Sequence, residues 1–265
     1  MYLKTATVLF LVYALCEIAC TSSIDHMERI IGGTDVKDGA APYLVALKKN
    51  GSFSCDGSII GARWILTAAH CVIGLTPRNA VILAGTNNLN KGGKEYTVDR
   101  VIPYRKYVHS RLGWMDIALI RLKAPVAIGK RINTIKYTTD DVPVNATLTI
   151  VGWGYTGPIE RTNQSQAINV RKIDLNQCRE MYTKYPLQRA SIYDGNLCSF
   201  TRPGQGVCNG DSGGPVVWNR QLVGVVSWSG GDDPQCAVGY PDVHSRISFF
   251  YNWIRKTIAG NSESA

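Results

Sequence analysis

Short stretches of alternating apolar and polar residues run through most of this chain, separated by turns rich in Gly, Pro and Asn. Many stretches are rich in Val, Ile, Thr and aromatic residues and alternate with a period of two, which is typical of β-strands. Because no long helices alternate with them, the pattern predicts an all-β fold of barrels or sandwiches. The predicted strands cover residues 43–47, 58–60, 64–68, 81–84, 96–102, 117–122, 147–153, 167–173, 216–218 and 222–228.

The predicted strands form two groups, separated by a polar segment that contains Asp140 and Pro143. Two barrels of about 100 residues each agree with common domain sizes. We therefore predict a first barrel at about 30–124, a linker at about 125–146 and a second barrel at about 147–246.

One helix is evident near the C-terminus, at about 248–259, where Ser248 is a suitable N-cap. The apolar residues at helical spacing are Phe250, Trp253, Ile254 and Ile258. This pattern predicts a helix that packs on a barrel by its apolar face. A membrane-surface helix is the alternative, but only two basic residues lie in this segment.

The N-terminal stretch differs from the rest of the chain. Lys4 precedes an apolar run at 7–14 and Glu17 follows it, a pattern too short to span a bilayer and typical of a secretory signal peptide. We predict a signal peptide at 1–20 and a secreted, extracellular protein. No later segment is apolar for long enough to span a bilayer, so no membrane partner is expected.

In a secreted protein, cysteines commonly form disulfides. Two of the eight lie in or beside the predicted signal, and an even number remains, which favours three disulfides in an oxidising compartment. Spacings typical of zinc sites do not occur. The remaining cysteines are Cys55, Cys71, Cys178, Cys198, Cys208 and Cys236.

The formal net charge is +9, and the basic residues are spread along the chain without a compact block. Nucleic acid is therefore not an expected partner. Two interpretations remain, a solvated basic surface or attraction to acidic substrates, matrix or membranes. Three sequons in predicted loops are candidate glycosylation sites: Asn50, Asn145 and Asn163.

A glycine-rich turn at residues 209–215 holds Ser212 next to Asp211. A hydroxyl at such a turn is a candidate nucleophile, and neighbouring N–H groups can bind an oxyanion, although the same motif also occurs in ordinary loops. His70 follows an apolar strand beside Cys71 and is a candidate base. Asp116 enters a hydrophobic strand, where a carboxylate is costly to bury unless it is paired.

Four motifs occur in order: Ile30-Ile31-Gly32-Gly33, Thr67-Ala68-Ala69-His70-Cys71, Asp116-Ile117-Ala118-Leu119-Ile120 and Gly210-Asp211-Ser212-Gly213-Gly214-Pro215. Together they resemble the chymotrypsin-like (trypsin-fold) secreted serine endopeptidases, most closely the arthropod chymotrypsins. The resemblance runs from residue 30 to the C-terminal helix, and it implies a peptidase domain at 30–265. It also implies two antiparallel six-stranded β-barrels with a C-terminal α-helix.

The resemblance implies a mechanism of acyl transfer. Ser212 attacks the scissile carbonyl, His70 takes its proton and passes it to the leaving amine, and Asp116 orients His70. The backbone N–H groups of Gly210 and Ser212 form the oxyanion hole.

Activation is implied by the same resemblance. A trypsin-like protease cuts after Arg29, removes an activation propeptide at 21–29 and frees the α-amino group of Ile30. That group pairs with Asp211, so the uncut chain is a zymogen whose pocket and oxyanion hole are disordered.

The resemblance also implies disulfide pairs and partners. The expected partners are protein or peptide substrates, the activating protease and protein inhibitors, and the expected state is a monomer. The segment that corresponds to the family's calcium loop has one acidic residue, Glu95, so no metal and no cofactor is expected. The implied pairs are Cys55–Cys71, Cys178–Cys198 and Cys208–Cys236.

The residues that correspond to the specificity pocket depart from trypsin, which has Asp at the position of Gly206. An uncharged floor at Gly206 favours large apolar side chains, whereas Ser229 narrows the slot and suits a broad or elastase-like preference. Asp242 either attracts Lys and Arg or is hydrogen-bonded and inert. The implied pocket residues are Gly206, Val207, Ser227, Trp228, Ser229 and Asp242. A non-catalytic homologue that acts by binding is the alternative class, although all three triad positions are intact.

Overall fold

The structure is a computed structural model, and it describes residues 30–157, 162–183, 192–230 and 236–261. The predicted signal peptide and propeptide, including Arg29, lie outside the described residues. Two α-helices occur in the described parts, α1 (Leu175–Thr183) and α2 (Ile247–Gly260). The thirteen strands there are β1 (Thr34–Asp35), β2 (Leu44–Lys49), β3 (Ser52–Gly61), β4 (Trp64–Thr67), β5 (Ala80–Ala84), β6 (Lys94–Pro103), β7 (Ala118–Leu122), β8 (Thr147–Gly152), β9 (Gln166–Ile173), β10 (Asn196–Ser199), β11 (Pro215–Trp218), β12 (Gln221–Ser229) and β13 (Asp242–Arg246).

Strands β2 to β7 form a closed antiparallel barrel in the order β2-β3-β4-β7-β6-β5. Apolar side chains that alternate along these strands fill its interior, including Ile59, Leu66 and Leu119. The β2–β3 hairpin turns at Asn50 and Gly51, which have φ of 51° and 80°. Two consecutive positive φ angles define the turn whose twist matches a two-residue hairpin, and Asn-Gly is its favoured sequence.

Strands β8 to β13 form the second antiparallel barrel, in the order β8-β9-β10-β13-β12-β11, and β11 pairs again with β8. Strand β1 pairs with β9 outside this ring. The predicted all-β fold of two six-stranded barrels is confirmed. Strands β1, β10 and β13 were not among the predicted strands.

Helix α2 buries Ile247, Phe250 and Ile254 against core residues of both barrels. The ring of Tyr104, which follows β6, lies 5.3 Å from that of Phe250 and 5.1 Å from that of Trp253. The predicted C-terminal helix is therefore present and docks by its apolar face. Ser248 is not its N-cap as predicted, because the helix begins at Ile247 and Arg246 occupies the cap position without a side-chain hydrogen bond. Neither helix of the described residues is both long and apolar enough to cross a membrane.

Helix α1 was not predicted from the sequence. It is short, and only Cys178 and Tyr182 are buried in it. The carboxylate of Asp174 accepts hydrogen bonds from the N–H groups of Asn176 (2.8 Å) and Gln177 (3.3 Å), which caps the helix. These hydrogen bonds hold the pKa of Asp174 below its ordinary value.

The structure contains the three disulfides that the resemblance implies: Cys55–Cys71, Cys178–Cys198 and Cys208–Cys236. The sequon residues Asn50, Asn145 and Asn163 are all exposed.

Candidate active site

His70 begins a short 3-10 turn that directly follows the fully buried strand β4. The next residue, Cys71, is bonded to Cys55 of β3, which ties this turn to the barrel wall. The side chain of His70 remains 32% exposed. The local structure thus anchors the backbone of His70 and leaves its ring open to the cleft.

Asp116 lies just before β7, and its side chain is 2% exposed. Its carboxylate accepts a hydrogen bond from the backbone N–H of His70 (2.8 Å) and lies 2.7 Å from the ring Nδ1 of His70. The hydroxyl of Ser227 donates to the same carboxylate at 2.5 Å, and that of Ser245 donates to the carbonyl of Asp116 at 2.6 Å. The buried charge is therefore paired, as the sequence led us to expect.

The residue before Asp116 is held in an unusual conformation. Met115 has a φ of +53°, which side chains other than glycine rarely adopt. Its N–H donates to the hydroxyl of Tyr193 at 2.9 Å, and the Tyr193 ring packs 4.6 Å from that of Trp114. This anchor was not visible in the sequence, because its partners lie far apart in the chain.

The pKa values of this pair shift in opposite directions. Desolvation opposes protonation of His70, but the charge and hydrogen bond of Asp116 outweigh it, so the pKa of His70 is raised. Desolvation likewise opposes ionisation of Asp116, but His70 and the hydroxyl of Ser227 outweigh it, so the pKa of Asp116 is lowered. An imidazole in this setting can accept a proton and hold the resulting charge.

Ser212 lies in the turn before β11, beside strand β3 and the end of strand β4. Its carbonyl accepts the N–H of Asp56 at 2.8 Å. The next residue, Gly213, has a φ of +80°, and an added Cβ there would collide with the hydroxyl of Thr67 at the end of β4. This glycine permits the close approach of the two segments.

No hydrogen bond joins the hydroxyl of Ser212 to Nε2 of His70 among the described residues. Such contacts are often long without substrate and tighten in the complex. The N–H groups of Gly210 and Ser212 donate no hydrogen bond within the described parts of the chain, and both residues are partly exposed. Two free amides beside a hydroxyl can receive a carbonyl oxygen that becomes negative.

Asp211 points away from the cleft and is fully buried. Its carboxylate accepts the N–H groups of Gly154 and Cys208, each at 2.9 Å. Burial raises the pKa of Asp211 to about 7, and these two hydrogen bonds offset only part of the desolvation. No ion pair with a described cation neutralises this carboxylate.

A second buried carboxyl group, which was not predicted from the sequence, lies beside Asp211. Asp56 is fully buried, and its carboxylate accepts the N–H of Trp153 at 3.1 Å. An added Cβ on Gly152 would collide with the carboxylates of both Asp56 and Asp211. The only signal in the sequence was an acid inside the otherwise uncharged strand β3.

Ile30 is fully buried in the apolar core of the second barrel, in a cluster that includes Val207. The carbonyl of Ile31 accepts the N–H of Gly206 at 3.1 Å. Residues 30–31, which follow the expected cleavage site, therefore pack beside residues 206–207, which precede Asp211 in the chain. In the full chain the nitrogen of Ile30 is a peptide nitrogen, which carries no charge.

The candidate pocket residues converge on Gly206. An added Cβ on Gly206 would lie 2.9 Å from Oδ2 of Asp242, so the carboxyl group of Asp242 fills the space that a side chain at 206 would need. That carboxyl accepts the N–H of Val207 at 3.1 Å and is 3% exposed. Burial, reinforced by the charge of Asp211, raises the pKa of Asp242 well above its ordinary value.

The opposite wall is the end of β12, which contains Ser227, Trp228 and Ser229. Trp228 is mostly buried, and Ser229 is partly exposed. The Cys208–Cys236 disulfide joins the segment after Val207 to the segment before β13. The remainder of the predicted wall loop, residues 231–235, lies outside the described residues.

His244, on β13, is fully buried, and its Nε2 lies 2.8 Å from the hydroxyl of Ser199. Burial lowers the pKa of His244 to about 3, so the ring stays neutral. One group of potential metal ligands occurs among the described residues: Cys55, His70 and Cys71. Because the two sulfurs are joined in a disulfide, they are not available as thiolate ligands.

Two antiparallel six-stranded barrels, with Asp116 hydrogen-bonded to His70 and Ser212 in a neighbouring glycine-rich turn, are the arrangement of the chymotrypsin-like serine proteases. The chain belongs to this family, because the family model described as Trypsin matches residues 30–254. Chymotrypsin-2 of Vespa crabro is 34% identical over 231 residues, 86% of this chain and 99% of that protein. Serine protease SP24D of Anopheles gambiae is 35% identical over 238 residues, 87% of this chain and 81% of that protein.

A solved structure of similar fold is neuropsin, a serine protease expressed in the limbic system of mouse brain. It matches with a TM-score of 0.75 and 27% sequence identity, over 85% of this chain and 98% of that one.

Proposed function

We propose that this protein is an active secreted serine endopeptidase that uses Ser212 as nucleophile, His70 as general base and Asp116 as the group that orients His70. The observation that carries the proposal is the double contact of Asp116 with the backbone and ring of His70, beside Ser212. The hydroxyl oxygen of Ser212 attacks the carbonyl carbon of the substrate, and its proton passes to Nε2 of His70. His70 then gives that proton to the amine that leaves, and water releases the acyl group by the reverse sequence.

The free N–H groups of Gly210 and Ser212 support a second part of the proposal. They bind the carbonyl oxygen as it becomes negative, and the loss of one such donor typically costs about 3–4 kcal/mol of transition-state stabilisation. Replacement Ser212→Ala in the activated protein should leave a folded protein with almost no peptidase activity. Full peptidase activity in this variant would exclude the mechanism.

Activation by cleavage after Arg29 completes the proposal. The fully buried Asp211 lacks a described cation, and Ile30 packs beside residues that lead to it. The α-amino group that cleavage frees on Ile30 supplies the missing positive charge. The variant Arg29→Gln should be secreted as an inactive precursor, and undiminished activity of the uncut variant would contradict this switch.

The substrate class is proposed to be peptides with a large apolar residue before the scissile bond. The carboxyl group of Asp242 supports this preference, because it is buried and hydrogen-bonded to Val207, and burial raises its pKa well above the ordinary value. A carboxyl group whose charged form is disfavoured by burial offers less attraction to Lys or Arg than an exposed carboxylate does. Hydrolysis of matched peptides with Phe, Leu, Ala or Arg at this position tests the preference, and strong cleavage after Arg would overturn it.

A further inference from the structure

The segment between β6 and β7, residues 104–115, is strongly basic and borders the candidate active site. We call it the basic loop. It contains no Asp or Glu, so no charge within it compensates its basic residues. All four of them are exposed: Arg105, Lys106, His109 and Arg111.

The nearest acids along the chain are already paired with other groups. Asp99 lies 3.5 Å from the guanidinium of Arg121 and 4.0 Å from that of Arg100, and Asp116 is bound to His70. None of the four basic residues forms an ion pair with any carboxylate that the structure describes. The loop therefore presents uncompensated positive charge to solvent.

The basic loop touches the wall of the specificity pocket. An added Cβ on Gly113 would collide with the indole of Trp228, which follows Ser227 in β12. Leu112 packs in the same apolar cluster as Trp228. The loop ends at Met115, directly before Asp116 of the candidate triad, and burial together with the charge of Asp116 raises the pKa of Tyr107 to about 12.

Arg111 is held in a fixed position. Its guanidinium carbon lies 3.9 Å from the centre of the Trp114 ring, over the ring face. Stacking on an aromatic face restrains a guanidinium group while its in-plane N–H groups stay free. A restrained, unpaired guanidinium at the rim of a cleft can accept a carboxylate with two hydrogen bonds.

We propose that the basic loop is a subsite for acidic side chains of the substrate, on the side of the scissile bond that precedes it. The side is set by Trp228, because the pocket whose wall it forms receives the residue before the scissile bond. The inference rests on the proposed function, since it concerns substrates of the same site. The basic residues of this loop, which are part of the net positive charge, would then select acidic peptides.

The test uses the activated protein and a series of peptides with Phe before the scissile bond. Glu, Gln or Lys stands in turn two, three or four residues before the bond, or two residues after it. Exposed ion pairs contribute up to about 1 kcal/mol, so Glu should raise kcat/KM about twofold to fivefold over Gln at one or more preceding positions, and Lys should lower it. The preference should shrink between about 0.05 M and about 0.5 M salt.

Variants identify the loop as the source of the preference. The change Arg111→Gln should reduce the ratio of Glu to Gln cleavage, and the combined changes Arg105→Gln, Lys106→Gln and Arg111→Gln should abolish it. The matched control Lys130→Gln removes an exposed lysine beside Gly39, in the linker between the barrels, and should leave the ratio unaltered.

The outcomes separate this inference from the proposed function. Cleavage of none of the peptides would contradict the proposed function itself. Equal cleavage of the Glu, Gln and Lys peptides would overturn the inference alone. A preference for Glu that survives in the triple variant would also overturn it, because the acidic residue would then be recognised elsewhere.

Discussion

The charge state of Asp211 gives a quantitative prediction about activation. Burial raises its pKa from an ordinary value of 3.8 to about 7 in a chain whose Ile30 nitrogen is uncharged. An acid with a raised pKa in the folded state binds its proton more tightly there than in the unfolded state. The stability of the uncut protein should therefore fall as pH rises from about 4 to about 7, and change no further from this group above that range.

The size of the effect follows from the difference in pKa. About three pH units correspond to about 4 kcal/mol of unfolding free energy, and no discount for solvent applies because Asp211 is fully buried. Under the proposed activation, the ammonium group that cleavage frees on Ile30 approaches this carboxylate and stabilises its charged form, so this loss should disappear in the cut protein. At neutral pH, the ordered site should therefore be more stable in the cut protein than in the uncut protein.

Urea unfolding measures this difference. Two proteins are compared between about pH 4.5 and 7.5 with their disulfides intact: the uncut variant Arg29→Gln, and the protein with its native Arg29 after cleavage. Both also carry Ser212→Ala, which prevents self-digestion. Groups that titrate alike in both proteins contribute equally to the two pH dependences, so their contributions cancel in the comparison. The control is Asp211→Asn in each protein, which should remove the difference. If residues 206–214 open locally instead, amide exchange there should increase over the same pH range in the uncut protein.

The reasoning would be refuted by equal pH dependence of the cut and uncut proteins, both in unfolding and in amide exchange. It would also be refuted if the difference persisted in Asp211→Asn, because another buried group would then be responsible. The neighbouring carboxyl group of Asp56 is the first candidate for such a role.

Three further predictions concern the site. Asp116→Asn should lower kcat about 10⁴-fold. The pH below which the remaining activity is lost should also decrease, since the raised pKa of His70 depends on the charge of Asp116. A pH profile of kcat/KM checks both effects. Gly213→Ala should lower the free energy of unfolding by about 2–3 kcal/mol in thermal unfolding, because Gly213 has a φ of +80° and the added Cβ collides with Thr67. The control Gly157→Ala, whose added Cβ meets nothing within 4 Å, should lower it far less. Asp242→Asn should change kcat/KM by the same factor for Phe and Arg peptides, and a loss confined to Arg peptides would show a charged pocket.

The barrels could be predicted because most of their strands alternate apolar and polar residues. Two of the strands that the sequence did not indicate, β10 and β13, bury polar residues instead. Asp242 is satisfied by the backbone of Val207, His244 by Ser199, and Ser245 by the carbonyl of Asp116. Because each partner lies far away in the chain, no local pattern could mark these segments as buried.

The site shows the same division. The candidate triad was visible because Ser212, His70 and Asp116 each lie in a motif of neighbouring residues. The contact of Asp56 with the surroundings of Asp211, and that of Tyr193 with Met115, join residues that no local motif connects. Their existence depends on how the barrels pack, so only the structure could reveal them.

Covalent labelling tests the central claim most directly. The protein is first cut between Arg29 and Ile30 by a trypsin-like protease, and the new N-terminus is verified by mass spectrometry. An activated fluorophosphonate should then add one label per molecule at Ser212, and Ser212→Ala and uncut Arg29→Gln should stay unlabelled. Absence of labelling in the fully cut wild-type protein would contradict an activated serine nucleophile and favour a homologue that acts by binding.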